Sequence, residues 1–133
     1  MVDRNDIENL LNSYSLAYDS NDMVLMEDCF TADAVFSMKI VDNDPLSFET
    51  RDVIMKLMRD SLASQTDQRR HANTNLIVRS EGGVTKTTNY LGLSAVENGE
   101  IKLLSSGVYS NEIVEDEGKL RIRKMHLDLD RPY

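Results

Sequence analysis

The sequence predicts an α+β domain in which three N-terminal helices cover one face of a curved antiparallel sheet. The first half of the chain contains segments whose apolar residues recur at helical spacing, and the second half contains four long β-rich runs. Short glycine-containing connections separate these runs, which is typical of β-hairpins. The connections are Glu81–Gly83, Asn98–Glu100 and Asp116–Gly118.

The three helices are predicted before residue 65. The first ends at about Asp19, after an apolar stripe that includes Tyr14 and Tyr18. The second covers Met23–Phe30, and the third begins near Thr50 and ends before Ser64. Asp3 or Asn5, Asp22, and Thr50 or Arg51-Asp52 are the predicted helix starts.

Four long strands are predicted, preceded by one or two short ones. The short ones are Ala34–Ile40 and Leu46–Glu49, and the long ones are Arg69–Ser80, Val84–Glu97, Ile101–Glu115 and Lys119–Asp130. Simple alternation in the last two strands puts apolar residues on both faces. One set is Leu104, Val108, Met125, Leu127 and Leu129, and the other is Leu103, Tyr109, Ile113 and Ile122. We therefore expect a partner subunit on part of the uncovered face, in a homodimer or homotrimer.

Composition narrows the class of protein. A chain of 133 residues predicts one domain over residues 1–133, and a net charge of -8 argues against nucleic acid as a partner. No apolar run approaches the roughly 20 residues that cross a membrane, and the polar N-terminus lacks an apolar signal core. A cytoplasmic location is therefore expected. The basic cluster of Lys119, Arg121, Arg123 and Lys124 is interpreted as a solvated strand face.

Motifs for metals and cofactors are missing from the sequence. There is no P-loop, no glycine-rich dinucleotide turn and no zinc motif of the HExxH type. Cys29 is the only cysteine, and its apolar neighbours at helical spacing predict a buried structural thiol rather than a nucleophile. No metal and no cofactor are expected.

The candidate chemistry centres on Asp19 and His71. A carboxylate can accept the N–H of one imidazole nitrogen, fix the tautomer and leave the other nitrogen free to take a proton. A carboxylate at a helix C-terminus is unfavourable unless another group holds it, although Asp19 also suits the turn that follows. Tyr14 is the candidate donor to a substrate oxygen whose negative charge grows.

Further polar residues are predicted to line a substrate pocket. Alternation places His71, Asn73, Asn75 and Ile77 on one face of their strand, and Ala72, Thr74, Leu76 and Val78 on the other. A strand histidine such as His126 is more often structural or solvent-facing than functional. The expected substrate-binding residues are Tyr18, Asn73, Tyr109, Asn111 and His126, with Arg131–Tyr133 as a tail able to fold over the pocket mouth.

The junction Asp28-Cys29-Phe30-Thr31-Ala32-Asp33-Ala34-Val35 and the order of elements resemble the SnoaL-like branch of the nuclear transport factor 2-like superfamily. This resemblance implies a conical α+β barrel with a pocket between sheet and helices. His71–Leu76 resembles the histidine strand of hexachlorocyclohexane dehydrochlorinases, and Tyr18-Asp19-Ser20 resembles the first-helix end of scytalone dehydratases. Both imply catalytic roles for Asp19 and His71, and Tyr14 is placed like a catalytic tyrosine of bile-acid dehydratases.

The chain also departs from these families. No second histidine lies in Ile101–Glu115, Tyr14 replaces the dehydrochlorinase lysine, and Ser94 falls near an acidic residue of the bile-acid enzymes. The leading hypothesis is a cofactor-free lyase or isomerase that acts on a mostly apolar cyclic small molecule. The alternatives are a non-catalytic binding module, the small subunit of a ring-hydroxylating oxygenase, or a domain in which the dyad is a structural hydrogen bond.

Overall fold

A computed structural model describes residues 2–133 and confirms the α+β class. Each predicted helix and strand is present, with end points shifted by a few residues at most. The helices are α1 Arg4–Ser20, α2 Met23–Asp28 and α3 Arg51–Ser64. The strands are β1 Phe30–Ile40, β2 Leu46–Glu49, β3 Gln68–Glu81, β4 Val84–Glu97, β5 Glu100–Asp116 and β6 Lys119–Leu129.

Helix α1 has a well-defined start and end. The Asp3 carboxylate accepts a hydrogen bond from the Asn5 N–H at 2.8 Å, and Asn21 ends the helix in the left-handed conformation at φ 55°. The helix buries its apolar stripe against the sheet. Asp19 therefore falls in the last turn of α1, at the edge of the buried side. None of the helices within residues 2–133 is long and apolar enough to cross a membrane.

The six strands form one open sheet in the order β2-β1-β6-β5-β4-β3. The sheet does not close, so the expected barrel is a curved sheet with β2 and β3 as its two edges. The sheet is also not purely antiparallel, because β1 pairs parallel to β6. β1 follows α2, and β6 is the last strand of the meander. The two strands lie side by side and run in the same direction.

Three two-residue turns connect β3 to β6. Both turn residues have positive φ in each of them, which is the type I′ geometry that matches the twist of paired strands. The turns are Gly82-Gly83, Asn98-Gly99 and Glu117-Gly118. They confirm the hairpin connections predicted from glycine spacing.

The predicted distribution of apolar residues over the two faces is wrong in the last strands. Arg123 is an extra residue in β6, because Glu112 pairs with Lys124 whereas Ile113 pairs with Ile122. Because of this bulge, the apolar side chains before and after Arg123 point to the same, inner face. Tyr109, Ile113, Ile122, Met125, Leu127 and Leu129 are all buried there together.

The outer face is less apolar than predicted, but it is not polar throughout. Its exposed large apolar side chains belong to β3, β4 and β5. They are Ile77, Tyr90, Val96, Ile101 and Leu103. A partner subunit over this region remains a prediction.

The basic cluster at the start of β6 is not simply solvated. Arg121 is only 7% exposed, and it donates to Asp28 Oδ1 at 3.0 Å and to the Asp116 carbonyl at 2.8 Å. Hydrogen bonds from Lys119 and Arg121 hold the pKa of the Asp28 carboxyl below its usual value. The arginine therefore ties α2 to the β5–β6 hairpin, a contact between distant segments that local charge patterning did not reveal.

Candidate active site

Asp19 and His71 are in direct contact where the last turn of α1 meets the beginning of β3. The Asp19 Oδ1 atom lies 2.6 Å from His71 Nδ1, and Asp19 Oδ2 accepts the backbone N–H of His71 at 2.9 Å. Both carboxylate oxygens are thus bound to the same residue. These two donors provide the stabilisation that a carboxylate at a helix C-terminus needs.

The contact determines which nitrogen of His71 carries the proton. A carboxylate only accepts, so Nδ1 is the protonated nitrogen and Nε2 keeps a lone pair. Among residues 2–133, no protein group hydrogen-bonds to Nε2. His71 therefore has the tautomer and the free nitrogen of a general base.

The dyad is almost closed to solvent. The side chains of Asp19 and His71 are 5% and 10% exposed. Gln68 Nε2 donates to the Asp19 carbonyl at 2.8 Å and fixes the end of α1 to the start of β3. Low exposure strengthens the Asp19–His71 interaction, and it also means that a substrate needs an opening to reach Nε2.

Tyr18 packs against the histidine but does not offer its hydroxyl to a substrate. Its ring stands edge-on to the His71 imidazole at 5.2 Å between centroids. The hydroxyl donates to Gln65 Oε1 at 2.9 Å and lies 2.8 Å from Ser61 Oγ, so both of its hydrogen-bonding functions are used. Its predicted role therefore changes from oxygen binding to holding the imidazole in place.

Tyr14 and Tyr109 form an aromatic wall deeper in the fold. Their rings meet edge-on at 6.3 Å, and Tyr14 also packs on Phe30 at 5.7 Å. Burial, and then the neighbouring phenols of Tyr109, Tyr133 and Tyr18, raise the pKa of Tyr14 well above its usual value. Tyr14 is therefore a protonated hydrogen-bond donor at neutral pH.

Tyr109 shares this environment. Burial and the phenol of Tyr133 are the main causes that raise its pKa, and the Asp19 carboxylate also contributes. Tyr109 is thus within electrostatic reach of the dyad. Of the predicted site residues, Asp19, His71 and Tyr18 are in direct contact, and Tyr14 and Tyr109 form a second pair deeper in the fold.

Asn73 lies on the same inner face as His71, two residues further along β3. Its Nδ2 donates to Ser15 Oγ at 2.8 Å, and its Oδ1 accepts from Asn89 Nδ2 at 3.2 Å. It borders a small polar cavity of about 260 Å³ between α1 and the sheet. Asn73 therefore belongs to a hydrogen-bonded cluster next to the dyad rather than to the dyad itself.

The predicted face of β3 changes beyond Asn73. Thr74 pairs with Tyr90 and Ile77 with Thr88, so β3 contains one extra residue at this point. Asn75 adopts φ 58°, a left-handed conformation that asparagine tolerates. As a result Leu76 and Val78 point inward, and Ile77 is exposed on the outer face.

Two predicted substrate-binding residues lie away from the dyad. Asn111 pairs with Thr87, six residues along β4 from the partner of His71, a separation of about 20 Å at the rise of a strand. His126 is on the outer face, where its Nδ1 lies 2.6 Å from Ser37 Oγ and its Nε2 lies 3.0 Å from Asp128 Oδ1. Its neighbours are therefore other outer-face residues, which contradicts its placement in the same pocket.

Sequence reasoning missed the contribution of α3. Ser61 and Gln65 reach the dyad indirectly, by binding the Tyr18 hydroxyl. Their spacing of four residues places them on one helix side, next to the buried stripe. The spacing could have indicated that the two residues act together, but only the structure shows that they bind the Tyr18 hydroxyl.

Cys29 is buried, as predicted. It is 3% exposed, and its Sγ donates to the Leu25 carbonyl at 3.3 Å. Burial, followed by the nearby Asp28 carboxylate, raises the pKa of Cys29 to about 12. Since thiolate is the reactive form, we expect negligible native alkylation by iodoacetamide at pH 8 and complete alkylation in denaturant, measured by intact mass. Native labelling at the rate of a free thiol would contradict this burial.

Comparisons with known proteins agree with the fold. The model of the SnoaL-like domain family matches residues 1–126, so the chain belongs to this family. No curated protein matches the chain. Within the described residues, no three His, Cys, Asp or Glu side chains are grouped as metal ligands.

Solved structures with the same fold are numerous and distant in sequence. A candidate aromatic ring hydroxylase from Novosphingobium aromaticivorans is 24% identical, with a TM-score of 0.79 over 98% of this chain and 90% of that chain. The beta subunit of a candidate aromatic-ring-hydroxylating dioxygenase from the same organism is 16% identical, with a TM-score of 0.82 and the same coverage. ActVI-ORFA from Streptomyces coelicolor is 19% identical, with a TM-score of 0.81 over 95% and 96%.

Proposed function

We propose that this protein is a cofactor-free lyase or isomerase in which His71 removes a proton from a mostly apolar cyclic small molecule. One observation carries the proposal. The Asp19 carboxylate holds Nδ1 of His71 at 2.6 Å, while Nε2 has no hydrogen-bond partner within residues 2–133. This is the arrangement of a base in the correct tautomer, with a counter-charge for the imidazolium that forms.

The reaction would begin at an acidic carbon next to a carbonyl group. Nε2 of His71 takes the proton, and the electron pair of the C–H bond moves toward the carbonyl oxygen. Tyr14, which burial keeps protonated, is the candidate hydrogen-bond donor to that oxygen. Return of the proton from His71 to another carbon completes an isomerisation. In a dehydration the electron pair returns from the oxygen to form the C=C bond, the C–O bond of a hydroxyl group on the next carbon breaks, and the proton on His71 passes to that hydroxyl, which leaves as water.

The surroundings of the dyad favour an apolar substrate. The ring of Tyr18 packs edge-on against His71, and deeper in the fold the ring of Tyr14 packs against Phe30 and Tyr109. Such surfaces bind flat or cyclic apolar groups, and few polar groups near them are free to fix a charged ligand. The number of free polar groups is reduced further by the pairing of Tyr18 with α3.

The proposed base can be tested without knowing the natural substrate. In D2O, wild-type protein is expected to exchange the acidic C–H protons of members of a panel of cyclic ketones and enones, followed by proton NMR. His71→Gln keeps the size and polarity of the side chain but removes the base, so exchange should fall by about 10²–10⁴-fold.

His126→Gln is the matched control for this experiment. It changes the other histidine of the chain, which is bound to Ser37 and Asp128 on the outer face, and exchange should stay at the wild-type rate. Circular dichroism confirms that both variants fold. If His71→Gln exchanges protons as fast as wild type, His71 is not the base.

A second candidate function is the small subunit of a ring-hydroxylating oxygenase. The supporting observation is the TM-score of 0.82 with the beta subunit of the candidate dioxygenase. In that case the domain would assemble with a large Rieske-type subunit, and the dyad would have no substrate. Co-purification with such a subunit, together with no proton exchange on any ketone of the panel, would favour this candidate.

A further inference from the structure

The segment after β6 crosses the inner side of the sheet. The Asp130 N–H donates to the Ser106 carbonyl at 2.8 Å, and Ser105 Oγ donates to the Arg131 carbonyl at 2.7 Å. Ser105 is 3% exposed and belongs to the inner face of β5. After β6 the chain thus turns over the inner side of the sheet.

The segment ends against the beginning of β3. The Arg69 guanidinium lies over the Tyr133 ring at 4.8 Å from its centroid, and Asp67 fixes that arginine through a 3.0 Å ion pair. Arg69 is two residues before His71 in the same strand, so it shares the inner face with the histidine. Tyr133 is therefore held against β3 two residues before the histidine.

Sheet register shows what lies under this path. Leu93 of β4 pairs with His71 on one side and with Ser105 on the other. His71, Leu93 and Ser105 thus form one row across three strands, about 10 Å long. The three residues Arg131–Tyr133 span about the same distance when extended. The segment runs from Ser105 of β5 to Arg69 of β3, and Arg69 lies two residues before His71 on the same face.

Tyr133 is partly exposed, and its phenol interacts electrostatically with the buried tyrosines. Its phenol contributes to the raised pKa values of Tyr14 and Tyr109. Burial is the main cause that raises its own pKa, although 54% of the residue surface is exposed. The side chain is therefore partly in solvent and lies with its ring against the Arg69 guanidinium, which is the position of a cover at the beginning of β3.

We propose that Asp130–Tyr133 is a strap that closes the entrance to His71, and that Tyr133 must move aside before a substrate reaches Nε2. The contacts that hold the outer part of the strap are few, namely one hydrogen bond from Ser105 and the stacking on Arg69. A closed dyad with 5% and 10% exposure is consistent with a strap in its closed position. This inference concerns access to His71 and does not depend on catalysis.

Chemical modification of the two histidines can test the strap without any substrate. Diethyl pyrocarbonate modifies a free imidazole nitrogen, and peptide mass spectrometry reports His71 and His126 separately. Removal of the cover by Tyr133→Ala is expected to raise the ratio of His71 to His126 modification by about tenfold, the effect of losing one partly buried cation–π contact. Arg69→Met removes the same contact from the other partner and should raise the ratio in the same direction.

Tyr90→Ala is the matched control. Tyr90 is also 54% exposed, but it lies on the outer face of β4, so the ratio should stay at the wild-type value. Unchanged ratios in both Tyr133→Ala and Arg69→Met would overturn the proposal, and so would an equal rise in Tyr90→Ala. A raised ratio in a protein that exchanges no protons would support the strap and count against the proposed reaction.

Discussion

Asp19→Asn is expected to move the proton of His71 from Nδ1 to Nε2 and thereby abolish the base. Asp19 accepts two hydrogen bonds from His71, one from Nδ1–H and one from the backbone N–H. An asparagine has only one acceptor oxygen, so its NH2 group must face one of these two donors. The backbone N–H cannot change, whereas the imidazole can exchange tautomers. The NH2 group therefore faces Nδ1, and the proton of the ring moves to Nε2.

The tautomer is directly measurable. Two-bond proton–nitrogen NMR spectra of wild-type protein should show the Nδ1–H form of His71, and Asp19→Asn should show the Nε2–H form. Proton exchange on responsive ketones should fall by roughly 10²–10⁴-fold, because Nε2 no longer has a lone pair in the resting state. Both effects come from a single atom replacement that keeps the size of the side chain.

Asp128→Asn provides the control for the NMR experiment. Asp128 Oδ1 lies 3.0 Å from His126 Nε2 on the exposed outer face, so the substitution changes the surroundings of the other histidine. His71 should keep its wild-type signals in this variant. Persistence of the Nδ1–H form of His71 in Asp19→Asn would show that the carboxylate does not select the tautomer.

Gly107→Ala is expected to be the most destabilising single methyl addition in the sheet. A Cβ at this position would overlap the backbone carbonyl oxygen of Asp128 and lie 3.3 Å from Leu127 Cδ1. The obstructing atoms belong mainly to the backbone of a paired strand, so they cannot rotate away. We expect a loss of about 3 kcal/mol in the free energy of unfolding, typical of overpacking at a rigid position.

Thermal and urea unfolding measure this effect. The loss corresponds to a decrease in Tm of roughly 10 °C for a domain of this size. Gly92→Ala is the control, because a Cβ on Gly92 has no atom within 4 Å and its backbone is not in the left-handed region. Gly92→Ala should be neutral or slightly stabilising, since it reduces the freedom of the unfolded chain. Equal stability of the two variants would show that β5 and β6 can separate at Gly107 without cost.

The elements that sequence reasoning predicted well are those whose signals are local. The apolar stripe ends at Tyr18 and predicts a helix end at about Asp19, and α1 ends one residue later, at Ser20. The three hairpins follow from glycines that two-residue turns with positive φ require. Each of these features depends on a few neighbouring residues, so a short stretch of sequence is enough to predict it.

The predicted faces of the strand residues assume strict alternation, which a β-bulge interrupts. Period-two alternation holds only while both strands advance by one residue at a time. Asn75 in β3 and Arg123 in β6 each add a residue that has no counterpart on the neighbouring strand. Neither position carries a glycine or proline that would mark it. Ile77 was therefore assigned to the face of His71, and Met125, Leu127 and Leu129 were assigned to the face opposite Tyr109.

The meeting of Asp19 and His71 was predicted from residue types together with the family resemblance. The structure adds the second hydrogen bond, from the His71 backbone N–H to Asp19 Oδ2, because it depends on the path of β3 past the end of α1. The structure also removes His126 from the site, since the parallel pairing of β1 with β6 places Ser37 beside it on the outer face.

Local sequence thus predicted the class of the domain, its helices and its hairpins, and the family resemblance added the pairing of Asp19 with His71. Their chemical state came from long-range contacts. Fifty-two positions separate Asp19 from His71, and sixty-four separate Arg69 from Tyr133. Which nitrogen is free, which hydroxyl is already bound and which segment covers the histidine all depend on groups that approach one another only when the sheet curves around α1. No pattern within a short stretch of sequence predicts these contacts.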